Sequence, residues 1–177
     1  MSPETLNFYN TLLAILSLVA LISAVSLVSY RAFRGPDAVS SIGSSALWMA
    51  WIVAVVATLG SLVYSEVVHF LPCRLCWFQR IAMYPMSVIL LVGAIRKEAQ
   101  VRFYALPFAL GGLAISIWHY LTQTFPSLEG SSCDPLNPCS AKYVDMFGFA
   151  SIPFMAGAGF TLIAVLLAFY VRASNYE

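Results

Sequence analysis

A chain of 177 residues that is 60% hydrophobic and only 10% charged, with a mean hydropathy of +0.83, is too apolar for a soluble globular domain. Long unbroken runs of Leu, Val, Ile and Ala, in place of stretches of about ten residues that alternate apolar with polar, also exclude a membrane β-barrel. The formal net charge is only +1, and lipid rather than nucleic acid is the expected surrounding. The fold class read from the sequence is therefore an all-α integral membrane bundle.

Crossing roughly 30 Å of hydrocarbon at about 1.5 Å per residue takes about 20 mostly apolar residues. Taken in chain order, the first segment to qualify is Leu6 to Tyr30. Met1 to Asn10 contains no Lys or Arg, the apolar run is long, and no clean small-x-small cleavage site precedes Arg31, so this segment reads as a retained helix rather than a signal peptide. The stretch from Arg31 to Ser44 carries Gly35, Pro36, Gly43 and several serines and reads as a flexible link. Four further spans follow: Ser45 to Val68, Cys76 to Ile95, Tyr104 to Phe125 and Ile152 to Val171. Residues 1–44 thus hold the first helix with its linker, and residues 45–177 the other four helices.

Basic residues orient such a bundle, because cytoplasmic loops are enriched in Lys and Arg. Arg31, Arg34, Arg96, Lys97, Arg102 and Arg172 fall on one side of a five-span alternation, and Arg74, Arg80 and Lys142 on the other. The richer side is assigned to the cytoplasm, with the N-terminus outside and the C-terminus inside. All four cysteines then lie in outer segments, where disulfides form and persist.

Cys73 and Cys76 form a C-x-x-C pair just before the third span, a spacing at which the sulfurs bond or separate with little backbone movement. If that span begins near Cys76, the helix N-terminus lowers the pKa of its thiol. Arg80, one turn further along the same face, adds a permanent cation. The blander readings are a structural disulfide or half a zinc site for the cysteines, and an interfacial snorkelling residue for Arg80. Zinc is disfavoured by the second pair, Cys133 and Cys139, whose five intervening residues include two prolines. Haem attachment is set aside because Trp77, not His, follows Cys76. The turn-rich Cys133 to Cys139 segment reads as a second redox pair, and two pairs in series make a thiol relay.

Electrons from a dithiol need an acceptor, and no Rossmann, flavin or metal signature is present in the sequence. A lipid-soluble quinone fits a membrane setting. His119 and Gln123 share a face near the outer end of the fourth span and are candidate quinone ligands, alongside the alternative that they serve helix packing. Glu66 and His69 are left outside the primary site. Trp48, Trp51, Tyr64, Trp77, Tyr84, Trp118 and Tyr120 read as interfacial belts and bundle packing.

The run Leu71-Pro-Cys-Arg-Leu-Cys-Trp-Phe-Gln-Arg80 with Tyr84-Pro85 resembles the disulfide bond formation protein B (DsbB) family, and most of all its BdbC-like branch. Ile117-Trp-His-Tyr120, Cys133 with Pro138-Cys139-Ser140, and Phe147-Gly-Phe149 with Ile152-Pro-Phe154 extend the resemblance, which covers about Leu47 to Tyr170. The resemblance implies a four-helix bundle in which Cys73 and Cys76 are reoxidised by a quinone (ubiquinone or menaquinone) near Arg80, with His119 and Gln123 at quinone-proximal positions and no metal. It further implies that Cys133 and Cys139 exchange with an extracytoplasmic thioredoxin-fold oxidase (DsbA/BdbD-like), with Cys133 forming the mixed disulfide. The first span is additional to the family's four. Two other readings stand beside this one: a reductase of the vitamin K epoxide reductase type, and a non-catalytic scaffold with two stabilising disulfides.

Overall fold

A computed structural model describes residues 1–34, 43–98, 100–130 and 133–174. Most of the expected linker, residues 35–42, lies outside the described residues. Among the described residues there are five α-helices: α1 (Pro3–Arg34), α2 (Gly43–Leu62), α3 (Arg74–Arg96), α4 (Val101–Thr124) and α5 (Ile152–Ser174). Each is long and apolar enough to cross a membrane. No strand occurs among the described residues, only two isolated bridges in the last loop.

The core explains why these helices associate. Between helices in hydrocarbon there is no hydrophobic driving force, so close approach of small residues and van der Waals packing must do the work. Ala46, Ala50 and Ala54 recur one turn apart on α2 and are buried with Met83, Met86 and Leu90 of α3, Ala105 and Ala109 of α4, and Phe160, Ile163, Leu166 and Leu167 of α5. Gly112 lets α4 approach α5 most closely: a Cβ there would stand 2.3 Å from the Phe160 ring. The helices α2 to α5 thereby pack as a ring of neighbours, and α1 lies along α5. Lipid-facing positions such as Ile22, Val25, Val88, Ile95 and Leu110 remain exposed and apolar, as a bilayer solvent requires.

Two local features position the site. At its C-terminal end α2 widens into a π-helical turn over Val63–Val67, with the Val68 amide reaching back to Val63 O at 3.0 Å. Such turns shift the register of everything that follows; here they lead through His69, at φ 61°, to Cys73. The helix α3 then starts two residues earlier than the sequence reading, because Cys73 adopts the extended N-cap conformation and its sulfur accepts from the Cys76 amide at 3.3 Å. A cysteine here takes the place that Ser or Asp usually fills.

Candidate active site

Cys73 and Cys76 are free thiols with sulfurs 2.8 Å apart. Roughly 0.8 Å of approach would bring them to disulfide length. Cys73 is buried, whereas Cys76 is partly accessible. The expected helix-terminus effect therefore attaches to the capping residue Cys73. Its thiol pKa is lowered, first by the hydrogen bond from the Cys76 thiol, and further by His119 and the Cys76 backbone amide, against an opposing effect of burial.

The second pair, Cys133 and Cys139, is joined in a disulfide. Cys139 is fully buried and Cys133 half-buried. The loop that carries them is folded down onto the first pair. Phe70 and Tyr143 stack with centroids 4.8 Å apart, and Asn137 donates to the Leu71 carbonyl at 3.5 Å. Glu129 accepts from the Cys139 amide.

His119 and Gln123 do share one buried face of α4, but that face holds the cysteine loop. His119 Nε2 lies 3.1 Å from the Cys139 carbonyl oxygen and 3.6 Å from Cys73 Sγ, and Gln123 Nε2 donates to the Ala141 carbonyl at 3.1 Å. Neither lines the cavity described next, so the structure does not bring these two residues together with Arg80. The reason is depth and facing: α4 presents them beneath the Cys139 to Ala141 segment, on the far side of Cys73.

A cavity of about 330 Å³ opens instead on the other side of the C-x-x-C. Its polar end is formed by Cys76, Gln79, Arg80, Ser61 and Tyr84, and the remainder by mostly apolar side chains of α1, α2, α3 and α5 together with Tyr64, Phe70 to Pro72 and Tyr143. Arg80 donates to the Ser61 hydroxyl at 3.0 Å and to the Ser61 carbonyl at 3.1 Å, and its guanidinium lies over Trp77 at 5.3 Å. Tyr84 OH donates to the same hydroxyl at 3.2 Å. The cation is thus held at the cavity wall beside Cys76, one turn away, as its spacing in the sequence suggested.

Four residues of this arrangement escaped the sequence reading. Tyr84 had been assigned to packing, and Ser61 carries no sequence signal of its own. Gln79, buried and donating to Ser116 Oγ at 3.1 Å, is a polar residue inside an apolar span, which is a signal that could have been used. Glu129 is legible only once the loop is folded. Glu66 and His69 are exposed.

Cys73, Cys76 and His119 present ligand atoms within 4.8 Å of one another, as do Glu129, Cys133 and Cys139. In the second group both sulfurs are committed to a disulfide, and in the first the imidazole already serves the Cys139 carbonyl.

The sequence model of the family described as "Disulfide bond formation protein DsbB" matches residues 44–170. The chain belongs to the DsbB family. Among DsbB-family relatives, the "Disulfide bond formation protein C" of Bacillus subtilis (strain 168) is 46% identical over 110 residues, covering 62% of this chain and 80% of the relative. A "Probable disulfide formation protein" of Oceanobacillus iheyensis is 48% identical over 118 residues, 64% of this chain and 79% of the relative. A "Probable disulfide formation protein C 2" of Bacillus anthracis is 45% identical over 107 residues, 60% of this chain and 76% of the relative. No solved structure shows a significant match. This DsbB-family chain is accordingly a multi-pass membrane protein of disulfide bond formation, and α1 lies outside the segment that the family match covers.

Proposed function

We propose that this protein is a quinone-reducing thiol oxidase that reoxidises an extracytoplasmic thioredoxin-fold disulfide donor of the DsbA/BdbD type. Residues 45–177 form its redox domain and residues 1–44 an addition to it. The cysteine end faces outward from a bacterial cell membrane, with the N-terminus outside and the C-terminus in the cytoplasm. The observation that carries the reading is the position of the C-x-x-C, with Cys73 turned to the Cys139 loop through His119 and Cys76 turned to an apolar cavity with a cationic wall.

The order of exchange follows from exposure. A partner thiolate attacks Cys133, the more accessible sulfur of its pair; the Cys133–Cys139 bond breaks, a partner–Cys133 disulfide forms and Cys139 leaves as thiolate. The partner's second thiol then displaces Cys133, which leaves the partner oxidised. Cys139 attacks Cys73 of the oxidised C-x-x-C, breaking the Cys73–Cys76 bond and releasing a Cys76 thiolate at the cavity wall. Attack of Cys133 on that Cys73–Cys139 bond restores the outer disulfide and completes the Cys73–Cys76 dithiol.

The cavity fits a quinone on its own features: an apolar body, with a thiol and the Arg80 cation at one end. A quinone, ubiquinone or menaquinone, supplies a two-electron, two-proton acceptor when bound. Arg80 favours anionic oxygen and sulfur beside Cys76, and the surrounding apolar helices keep water away. The net reaction is partner dithiol plus quinone to partner disulfide plus quinol.

The deciding experiment follows quinone absorbance after a reduced thioredoxin-fold protein is added to the detergent-purified chain. Loss of quinone with wild type and none with Cys76→Ser is the expected result. No loss with a competent quinone and partner would overturn the reading and favour a reductase of the vitamin K epoxide reductase type or a scaffold.

A further inference from the structure

The cavity beside Cys76 is not made by the family's four helices alone. Leu13, Ser17 and Ala20 of α1 form one wall of it, facing Val53, Ala57 and Gly60 of α2. These α1 residues span about two turns, roughly 10 Å of helix, and two of them are small. At the outer end the two helices are tied together: Tyr9 OH donates to the Gly60 carbonyl at 3.0 Å, Tyr64 OH donates to Asn10 Oδ1 at 2.8 Å, and the two tyrosine rings meet edge to face at 5.3 Å. Towards the other end α1 follows α5, with the Arg31 guanidinium over the Phe169 ring at 5.3 Å.

A cleft therefore separates α1 from α2 below the tyrosine tie. Its rim consists of Leu16 and Val19 on α1 and Ile52 and Val56 on α2, all exposed on the lipid-facing surface. It is closed at the outer end, open sideways to the bilayer, and continuous with the polar end at Cys76, Arg80, Ser61 and Tyr84. A ligand shaped to fill it has an oxygenated ring at one end and a long apolar chain at the other.

We infer that α1 forms the tail-binding half of the quinone site: the isoprenoid chain lies in the α1–α2 cleft, and α1 makes the protein selective for long-tailed quinones. This rests on the quinone reading above and adds a role for a helix outside the family match. The polar end that takes the head group is built by α2 and α3, so α1 governs affinity for the tail and leaves the thiol chemistry untouched.

The test compares tailed and tail-less forms of the same ring, both as benzoquinones and as naphthoquinones, with wild type, Ala20→Leu and Leu16→Ala. Ala20→Leu fills the cleft and Leu16→Ala strips its rim at an exposed position. Each is expected to raise KM for the tailed quinone about tenfold, the effect of losing roughly two buried methylene groups, and to change that for the tail-less ring less than about twofold. A quinone with a diazirine at the end of its tail, photolysed in the full-length protein, is expected to label the peptide containing residues 13–23. Equal effects on both quinones, or label confined to α2 to α5, would overturn the inference while the oxidase reading stands. If wild type reduces neither quinone, the oxidase reading itself fails.

Discussion

The Nε2 of His119 lies 3.6 Å from the Sγ of Cys73. The same nitrogen is 3.1 Å from the carbonyl oxygen of Cys139, so one imidazole touches both redox pairs. A carbonyl can only accept, which places the hydrogen on Nε2 and the lone pair on Nδ1, a buried atom without a partner among the described residues. The single Nε2 hydrogen is thus shared between the Cys139 carbonyl and the more distant Cys73 sulfur, and His119 links the Cys139 loop to Cys73.

Removing that donor is expected to slow transfer between the pairs. A hydrogen bond to a charged group is worth roughly 1.5–3 kcal/mol, so His119→Ala should lower partner-driven quinone reduction about 10- to 100-fold. His119→Gln retains an N–H near the Nε2 position and should recover most of the rate. Rapid acid quench and gel separation of the disulfide isomers would check this; unchanged exchange in His119→Ala would remove His119 from the relay.

The acidity of Cys73 gives a pH prediction. Its thiol pKa is lowered by the Cys76 thiol first and by His119 next, so the reactive thiolate persists as pH falls below the ordinary thiol range. In a Cys133→Ser/Cys139→Ser background, alkylation of Cys73 by a small reagent should stay fast below about pH 8.5 and decline only in acid. Adding His119→Ala should move that decline to higher pH. Mass spectrometry of the alkylated peptide across pH reads both shifts.

Packing gives a paired prediction on stability. Gly112→Ala would drive a methyl group into the buried Phe160 ring, whereas a Cβ at the neighbouring Gly111 meets nothing within 4 Å. Overpacking of this kind costs about 1–3 kcal/mol, while Ala for Gly in an open helix position gains up to about 1 kcal/mol. Thermal unfolding in detergent should therefore fall for Gly112→Ala and hold or rise for Gly111→Ala.

Five helices, the C-x-x-C before the third of them and the family were legible in the sequence because each depends on local pattern: run length, cysteine spacing and an ordered set of motifs. The facing of His119 and Gln123 was not. Their spacing puts both on one side of α4, but which neighbour that side meets is decided by how α4 packs, and it meets the Cys139 to Ala141 segment. For the same reason Ser61, which takes both Arg80 hydrogen bonds from another helix, had no local sign. The cap by Cys73 moved the start of α3 because a sulfur acceptor took the place of the usual oxygen.

On the proposed mechanism Arg80 serves the quinone half of the reaction and not the thiol-exchange half. Arg80→Ala removes the cation from the cavity wall and both bonds to Ser61, and should raise KM for quinone about tenfold, the loss of one charged hydrogen bond. Arg80→Lys keeps the charge but not the fork that reaches Oγ and the carbonyl together, and should fall between. Reduction of the Cys133–Cys139 bond by the partner, followed in a single turnover without quinone, should be unaffected by either. A matching loss in that half-reaction would mean that Arg80 holds the fold of the outer end.

Glu129 bears on the outer pair alone. Its carboxylate accepts from the Cys139 amide, and one of its oxygens lies within 4.8 Å of both sulfurs of the disulfide. When the partner attacks Cys133, negative charge develops on Cys139 beside that carboxylate, which opposes its release as thiolate. Glu129→Gln keeps the acceptor for the Cys139 amide and removes the charge, so the loop holds its shape while the thiolate becomes easier to form. Partner attack on Cys133 should accelerate, and the pair should become more readily reduced, by on the order of 30 mV for each tenfold change in the exchange constant. Equilibration of the Cys73→Ser/Cys76→Ser protein with glutathione redox buffers, with and without Glu129→Gln, measures the shift; a potential that moves negative would assign Glu129 to stabilising the reduced pair instead.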